Sequence, residues 1–167
     1  MAAADPEIDR LVTQLGDGVA AVRADAAERL CRAGTAALAA AVPLVRACAD
    51  ADEQVREWSV AALEDLGRPP PGSVTPLAEL ARGNHPLAAF WAITLLGRSG
   101  QDAATAVPTL AACLGANDPA VAERAAWALA KIGPAAAAAR DRLAEAARAT
   151  NPRLARLARE AIAAIGG

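Results

Sequence analysis

The chain has 167 residues, 54% of them apolar, which is enough for an ordinary core, and its net charge of −2 gives no overall pull toward a polyanion such as nucleic acid. Its apolar residues are dominated by fifty alanines, with no Tyr, one Phe and three Trp, which excludes a sheet protein and favours closely packed helices. The three cysteines, Cys31, Cys48 and Cys113, lie far apart with no CxxC or Cys/His grouping, so they read as small buried residues rather than metal ligands or a disulfide framework.

In chain order, Asp5-Pro6-Glu7 opens a first short helix, with a capping carboxylate followed by a proline whose missing N–H costs nothing at that position. Ile8, Leu11, Val12 and Leu15 give it an apolar stripe, Gly16-Asp17-Gly18 breaks it, and residues 19–33 form the partner helix. An outer helix with Leu38, Val42, Leu44, Val45 and Cys48 follows, with a kink or fresh start expected at Pro43, and then an inner helix over 53–66. Arg68-Pro69-Pro70-Pro71-Gly72-Ser73 cannot begin a helix, so the third outer helix is expected late, near Thr75-Pro76. Asn84-His85-Pro86 caps the next inner helix, over 87–98. Asp118-Pro119 and Asn151-Pro152 open two more inner helices, the last with a polar face of Arg153, Arg156 and Arg159. The final outer helix, about 135–149, lacks an internal proline and is expected to run straight.

These elements share one register of 33 residues, seen in Gly34, Gly67, Gly100, Gly133 and Gly166. The same step links Leu30, Leu63, Leu96, Leu129 and Ile162, and separately Leu11, Leu44, Leu77, Leu110 and Leu143. Five repeats follow, at 5–34, 35–67, 68–100, 101–133 and 134–166, expected to form a single domain over 1–167. Gly133 is expected to stop its helix in the left-handed conformation. Charge is uneven along the array: residues 1–67 carry six Arg against twelve acids, and residues 68–167 carry eleven Arg and Lys against seven. That dipole leaves head-to-tail self-association open. There is no basic leader and no long charge-free apolar run, so a cytoplasmic location is expected.

Asp52-Glu53-Gln54-Val55-Arg56 with Ala61-Ala62-Leu63 and Leu66-Gly67 resembles the second helix of a HEAT repeat, in particular the short bacterial kind named after phycobilisome lyases. So does Asp118-Pro119-Ala120-Val121 with Ala125-Ala126-Trp127-Ala128-Leu129 and Ile132-Gly133, while Ala41-Val42-Pro43-Leu44 and Ala106-Val107-Pro108 look like the start of the family's first helix. The resemblance implies an all-α, right-handed α-solenoid of about five antiparallel helix pairs, with the second helix of each pair lining a concave side where partners dock.

Candidate binding residues come from the few aromatic positions. Trp58 and Trp91 are register equivalents, Phe90 precedes Trp91, and Trp127 lies three positions further along its repeat. At about 100° per residue, Trp127 points away from the buried face and Trp58 and Trp91 flank it. The flanking pair suits either groove contacts or the seam between inner helices, and both readings stay open for Trp127 as well. Arg98, Arg124 and Lys131 share that side, giving an aromatic floor edged with cations that suits a protein partner carrying acidic residues. His85 is the only histidine and reads as a capping residue, and no nucleophile set or phosphate-binding loop is present, so a non-catalytic binding or scaffold module without a cofactor is expected. Two alternatives come from the resemblance. One is a nucleic-acid-binding or DNA glycosylase-like protein, with Glu57-Trp58 or Glu123 and Trp127 in the pocket, and the other is a phycobilin lyase-like subunit.

Overall fold

The computed structural model describes residues 5–166, which form ten α-helices, four 3-10 segments and no strand. The outer helices are α1 (Pro6–Gln14), α3 (Ala41–Ala47), α5 (Val74–Ala81), α7 (Val107–Cys113) and α9 (Arg140–Ala146). They alternate with the longer inner helices α2 (Ala20–Ala33), α4 (Glu53–Asp65), α6 (Pro86–Ser99), α8 (Pro119–Ile132) and α10 (Pro152–Ile165). The inner helices start where the sequence places caps: Asp118 Oδ1 accepts from the Ala120 and Val121 amides at 2.9 and 3.2 Å, and Asn151 does the same for Arg153 and Leu154 at 3.0 and 3.2 Å. His85 occupies the capping position of α6, but its side chain makes no capping bond.

Among the described residues only Gly34, Gly67, Gly100, Gly133 and Gly166 have positive φ. The expected left-handed stop is corrected in one respect. At Gly34, Gly100 and Gly133 ψ lies at −129°, −136° and −139°, far from the left-handed helical value and in a region that residues with a Cβ avoid. This conformation sends the chain directly into the next segment, which at these three places is a 3-10 helix: Gly34–Ala40, Gly100–Ala106 and Gly133–Ala139. A 3-10 turn aligns side chains three apart, and Ala37 with Ala40, Ala103 with Ala106, and Ala136 with Ala139 form such pairs, each 1% exposed or less.

The last outer helix does not run straight from 135 to 149. It bends at Ala139 (φ −89°, ψ −2°), as the chain does one and three repeats earlier at Ala106 (φ −88°, ψ −5°) and Ala40 (φ −84°, ψ 3°). The bend therefore belongs to the repeat and survives the loss of proline, because the buried alanine pair leading into it is still present. The proline-rich stretch behaves as expected, with a short 3-10 turn over Pro71–Ser73 and α5 beginning at Val74.

The chain divides at Pro70/Pro71 into two compact units. In the first, α1 to α4 bury Leu11, Leu30, Leu44, Leu63 and Leu66 at 2% exposure or less. In the second, α5 to α10 bury Leu77, Leu96, Leu110, Leu129 and Leu143 completely. The leucines of both series are thus core, at about 1.5–3 kcal/mol of burial for each side chain, while Ile162, which ends the first series, is only half-buried. Between them alanine fills the helix contacts, which lets the backbones approach closely. Cys48 and Cys113 are buried, and burial pushes the Cys48 thiol up to about 12. An apolar window of mean hydropathy 1.3 lies within Ala20–Ala47, but Gly34 and its 3-10 segment break the helical path there.

The turns of the first unit are tied by charge. Arg23 of α2 reaches the Asp50 carboxylate through Nε at 2.7 Å and Nη2 at 2.8 Å, both side chains being less than one-fifth exposed. Its Nη1 donates to the Asp17 carbonyl at 2.9 Å, and Arg56 repeats that bond on the Asp50 carbonyl at 2.8 Å. The hydrogen bonds from Arg23 hold the Asp50 carboxyl below its ordinary value, with burial opposing.

Two measurements follow. Gly133→Ala places a Cβ in ordinary contact with the Ala164 carbonyl oxygen, at 3.8 Å, but in a forbidden backbone region, so thermal unfolding is expected to show a loss of about 1–3 kcal/mol from strain alone. A carboxyl whose pKa is depressed on folding adds stability above its unfolded value, about 3.9, and loses it as pH falls through the lower folded value. Asp50→Asn is therefore expected to lower Tm near neutrality and to flatten its decline below about pH 4, whereas an unchanged acid limb means the pair contributes nothing.

Candidate partner-binding groove

α8 packs against α6 on one side and α10 on the other, and the exposed edges of these three helices carry most of the residues singled out in the sequence. α6 is buried over most of its length because its helical face pattern gives way to an almost continuous apolar run, Leu87 to Leu96. Trp91 is 7% exposed and meets the half-buried Phe90 edge-on, with centroids 5.8 Å apart and planes at 85°. For Trp91 the structure favours the seam, and its neighbour Arg98 keeps Cζ 5.9 Å from the ring centroid.

Trp127 is half-buried, and its position is fixed by a residue the sequence reading passed over. A Cβ built on Gly97 would lie 2.4 Å from Trp127 Cζ3, so the indole rests on the bare backbone of α6 at the one place where that helix lacks a side chain. Opposite the core of its own repeat, the ring finds its partner in the preceding one. This is seam packing, and two cations also lie by the ring: Arg124 Cζ is 4.9 Å from the Trp127 ring centroid and Lys131 Nζ 5.9 Å.

Arg124 is the centre of the arrangement. Its guanidinium also lies 4.4 Å from the Phe90 ring centroid, so two aromatic groups from different helices hold one cation. No carboxylate pairs with it among the described residues. The adjacent Glu123 is engaged elsewhere, accepting from Asn151 Nδ2 at 2.9 Å and pairing with Arg153 Nε at 3.1 Å. Desolvation lowers the pKa of Arg124 from its ordinary value, and the like charges of Arg153 and Arg98 push the same way. A groove of about 320 Å³ opens beside it, lined by Phe90, Glu123, Arg124, Trp127, Arg153 and Leu157.

The structure thus brings Phe90, Arg124, Trp127 and Lys131 together, with Trp91 and Arg98 alongside. Trp58 lies on α4 of the first unit, half-buried, at the register position of Trp91. Arg153, Arg156 and Arg159 are all exposed on α10, as expected of a polar face, and make different contacts: Arg153 lines the groove, Arg156 pairs with Glu160 at 2.6 Å, and Arg159 donates to the Ala147 carbonyl at 3.2 Å. Leu157 was not singled out in the sequence because a leucine on an inner helix looks like core.

With helices, turns and groove in place, comparison with known proteins is informative. The profile of the family described as HEAT repeats matches residues 74–163, more than half of the chain. The chain belongs to the HEAT repeats. Its fold is also that of an engineered protein at 21% identity and TM-score 0.69, covering 96% of this chain and 80% of that one. A designed armadillo repeat protein solved in complex with the peptide (KR)4 matches at 18% identity and TM-score 0.69, over 95% of this chain and 81% of that one. Computationally designed armadillo repeat proteins for modular peptide recognition match at 19% and TM-score 0.66, over 94% and 81%. At these identities the likeness concerns the fold. No curated protein gave a significant match. The HEAT-repeat solenoid is an architecture typical of protein-interaction scaffolds, and its helical hairpins account for the repeated caps, glycines and leucines of this chain.

The contact between Trp127 and Gly97 is testable by a double-mutant cycle. Gly97→Ala is expected to cost about 1–3 kcal/mol by overpacking, and less in a Trp127→Ala background, with a remainder because Ala128 Cα lies 3.1 Å from the added methyl. Additive costs in thermal denaturation of the four proteins would show that the ring does not rest there.

Proposed function

We propose that this HEAT-repeat chain is a non-catalytic protein-binding module whose groove between α6, α8 and α10 receives an acidic segment of a protein partner. The observation that carries the reading is the state of Arg124: a half-buried cation, stacked between Phe90 and Trp127, with like charges nearby and no carboxylate of its own. Partial burial of an uncompensated guanidinium is unfavourable, and an incoming carboxylate relieves it by supplying both charge and bidentate acceptors. The aromatic groups fix the plane of the guanidinium in advance, so little side-chain entropy is lost on binding.

Arg98, Lys131 and Arg153 extend the positive edge, and Trp127 with Leu157 offers apolar surface to the segment's other side chains. The designed armadillo neighbour holds a basic peptide, and the cations of this groove call for the opposite sign. Trp91 supports the floor from within the seam, and Trp58 enters the proposal through its register position alone. The three free cysteines are in keeping with a reducing, cytoplasmic setting.

Fluorescence anisotropy with a labelled peptide of alternating Glu and Leu tests the reading. Affinity is expected to fall with added salt and to fall about tenfold in Arg124→Ala, the loss of one charge-assisted contact. Equal binding by Arg124→Ala, or equal binding of duplex DNA by the unaltered chain, would overturn it.

A further inference from the structure

The turns joining outer to inner helices have nearly the same backbone in the first four repeats. Asp17, Asp50, Gly83 and Ala116 occupy one register position, and each donates its amide three residues back, to Gln14, Ala47, Leu80 and Cys113, at 3.0–3.1 Å. The residue two further on is extended in all four, with φ between −99° and −79° and ψ between 110° and 131°. The side chains are what differ. In the first unit Arg23 lies between two successive turns, donating to the Asp17 carbonyl of one and the Asp50 carboxylate of the next. Two repeats later the places of Asp17, Arg23 and Asp50 are held by Gly83, Ala89 and Ala116. In the first unit a space of about 340 Å³ between the same two turns is lined by Leu15, Gly16, Arg46, Ala47 and Asp50 and by no residue of the inner helices, and truncating both halves of the ion pair two repeats later extends such a space to the inner helix. The structure has one there, an open pocket of about 380 Å³ whose lining includes Gly83, Asn84, Ala89, Ala116, Asn117 and Asp118.

We propose that this pocket is an arginine-binding site, its inner part taken by the guanidinium of an arginine side chain from a protein partner in the manner that Arg23 bridges the equivalent turns of the first unit. The carbonyl of Gly83 corresponds to the Asp17 carbonyl that accepts from Arg23, and the Ala116 carbonyl corresponds to the Asp50 carbonyl that accepts from Arg56. Among the described residues no arginine donates to either, and the places of Arg23 and Arg56 are held by Ala89 and Ala122. Negative charge comes from Asp118, which lines the pocket and spends only Oδ1 on the α8 amides. Ala89, 3% exposed, gives the arginine methylenes an apolar wall. Arg82 on the rim opposes the incoming charge, but it is exposed and free to turn into solvent. The planar fork matters here, since acceptors on two successive turns suit the several donors of a guanidinium better than the single centre of an ammonium. This pocket is separate from the groove at Arg124 and of opposite preference.

The test uses the full chain, isotope-labelled, titrated with N-acetyl-arginine methylamide while the amides of Gly83, Asn84, Ala116 and Asn117 are followed by NMR. Saturating shifts confined to these residues are expected with the arginine probe. The lysine analogue is expected to bind more weakly, and the uncharged citrulline analogue not at all. Ala89→Arg with Ala116→Asp restores the internal pair and is expected to abolish the response. Asp118→Asn, which keeps a good helix cap, is expected to weaken binding about tenfold by removing one charged acceptor. Linear shifts without saturation, an equal response to citrulline, binding that survives the restored pair, or full affinity in Asp118→Asn would each overturn the proposal.

Discussion

Every 33 residues the backbone of this chain enters a conformation, φ near 60° with ψ near −135° at three of the five positions, that only glycine adopts without strain. The rest of the architecture follows from that constraint. The inner helix is stopped at a fixed residue, the chain turns within one peptide, and the next segment begins in register with the same segment one repeat before. Because the helix ends are fixed, the leucines of each inner helix fall at matching heights. Each repeat then completes a core that a lone helix pair could not bury. Alanine is the second half of this arrangement. The 3-10 segments place fully buried alanines three apart, and any larger side chain there would hold the next hairpin off.

The parts of the fold governed by one residue at a time are legible in the sequence. Asp118 and Asn151 cap the helices they precede, Gly133 ends α8, and Leu30, Leu63, Leu96 and Leu129 are buried as their spacing implies. The final outer helix is not straight, because its bend does not depend on proline. Ala136 and Ala139, whose role depends on what packs over them, preserve the bend without one. The candidate site divides along the same line. That Phe90, Arg124 and Trp127 share a side can be read from helical periodicity, but that Trp127 rests on Gly97 cannot. The pair spans two helices, and a glycine within a helix gives no sign of which ring it admits.

The arginines of the inner helices show how one residue type acquires opposite roles from its surroundings. Arg23 spends three donors on two turns, and the carboxylate it meets answers its charge, so it acts as a tie within the fold. Arg124 lies among rings and like charges with no acid of its own, and the stacking that orients it adds only about 0.5–2 kcal/mol, less than a desolvated guanidinium gains from a well-placed carboxylate. A tie of the first kind is complete within the fold, and on the proposed reading a cation of the second kind is completed by a partner.

This contrast also bears on where a repeat protein can afford to diverge. The glycines and leucines are held by constraints shared by all hairpins, so a change there disturbs a neighbour as well as its own repeat. The turn ties are different, because each joins only two successive turns. Replacement of Arg and Asp by Ala89 and Ala116 removes charge and bulk together, leaving no orphaned ion, while Asp118 keeps capping α8. Losing one partner alone would leave a charge unanswered, whereas losing both leaves carbonyl groups facing solvent at an open pocket. Individual surfaces in this array therefore arise most easily at paired polar positions, where a coupled loss is tolerated by the fold and leaves a shape that another chain can fill.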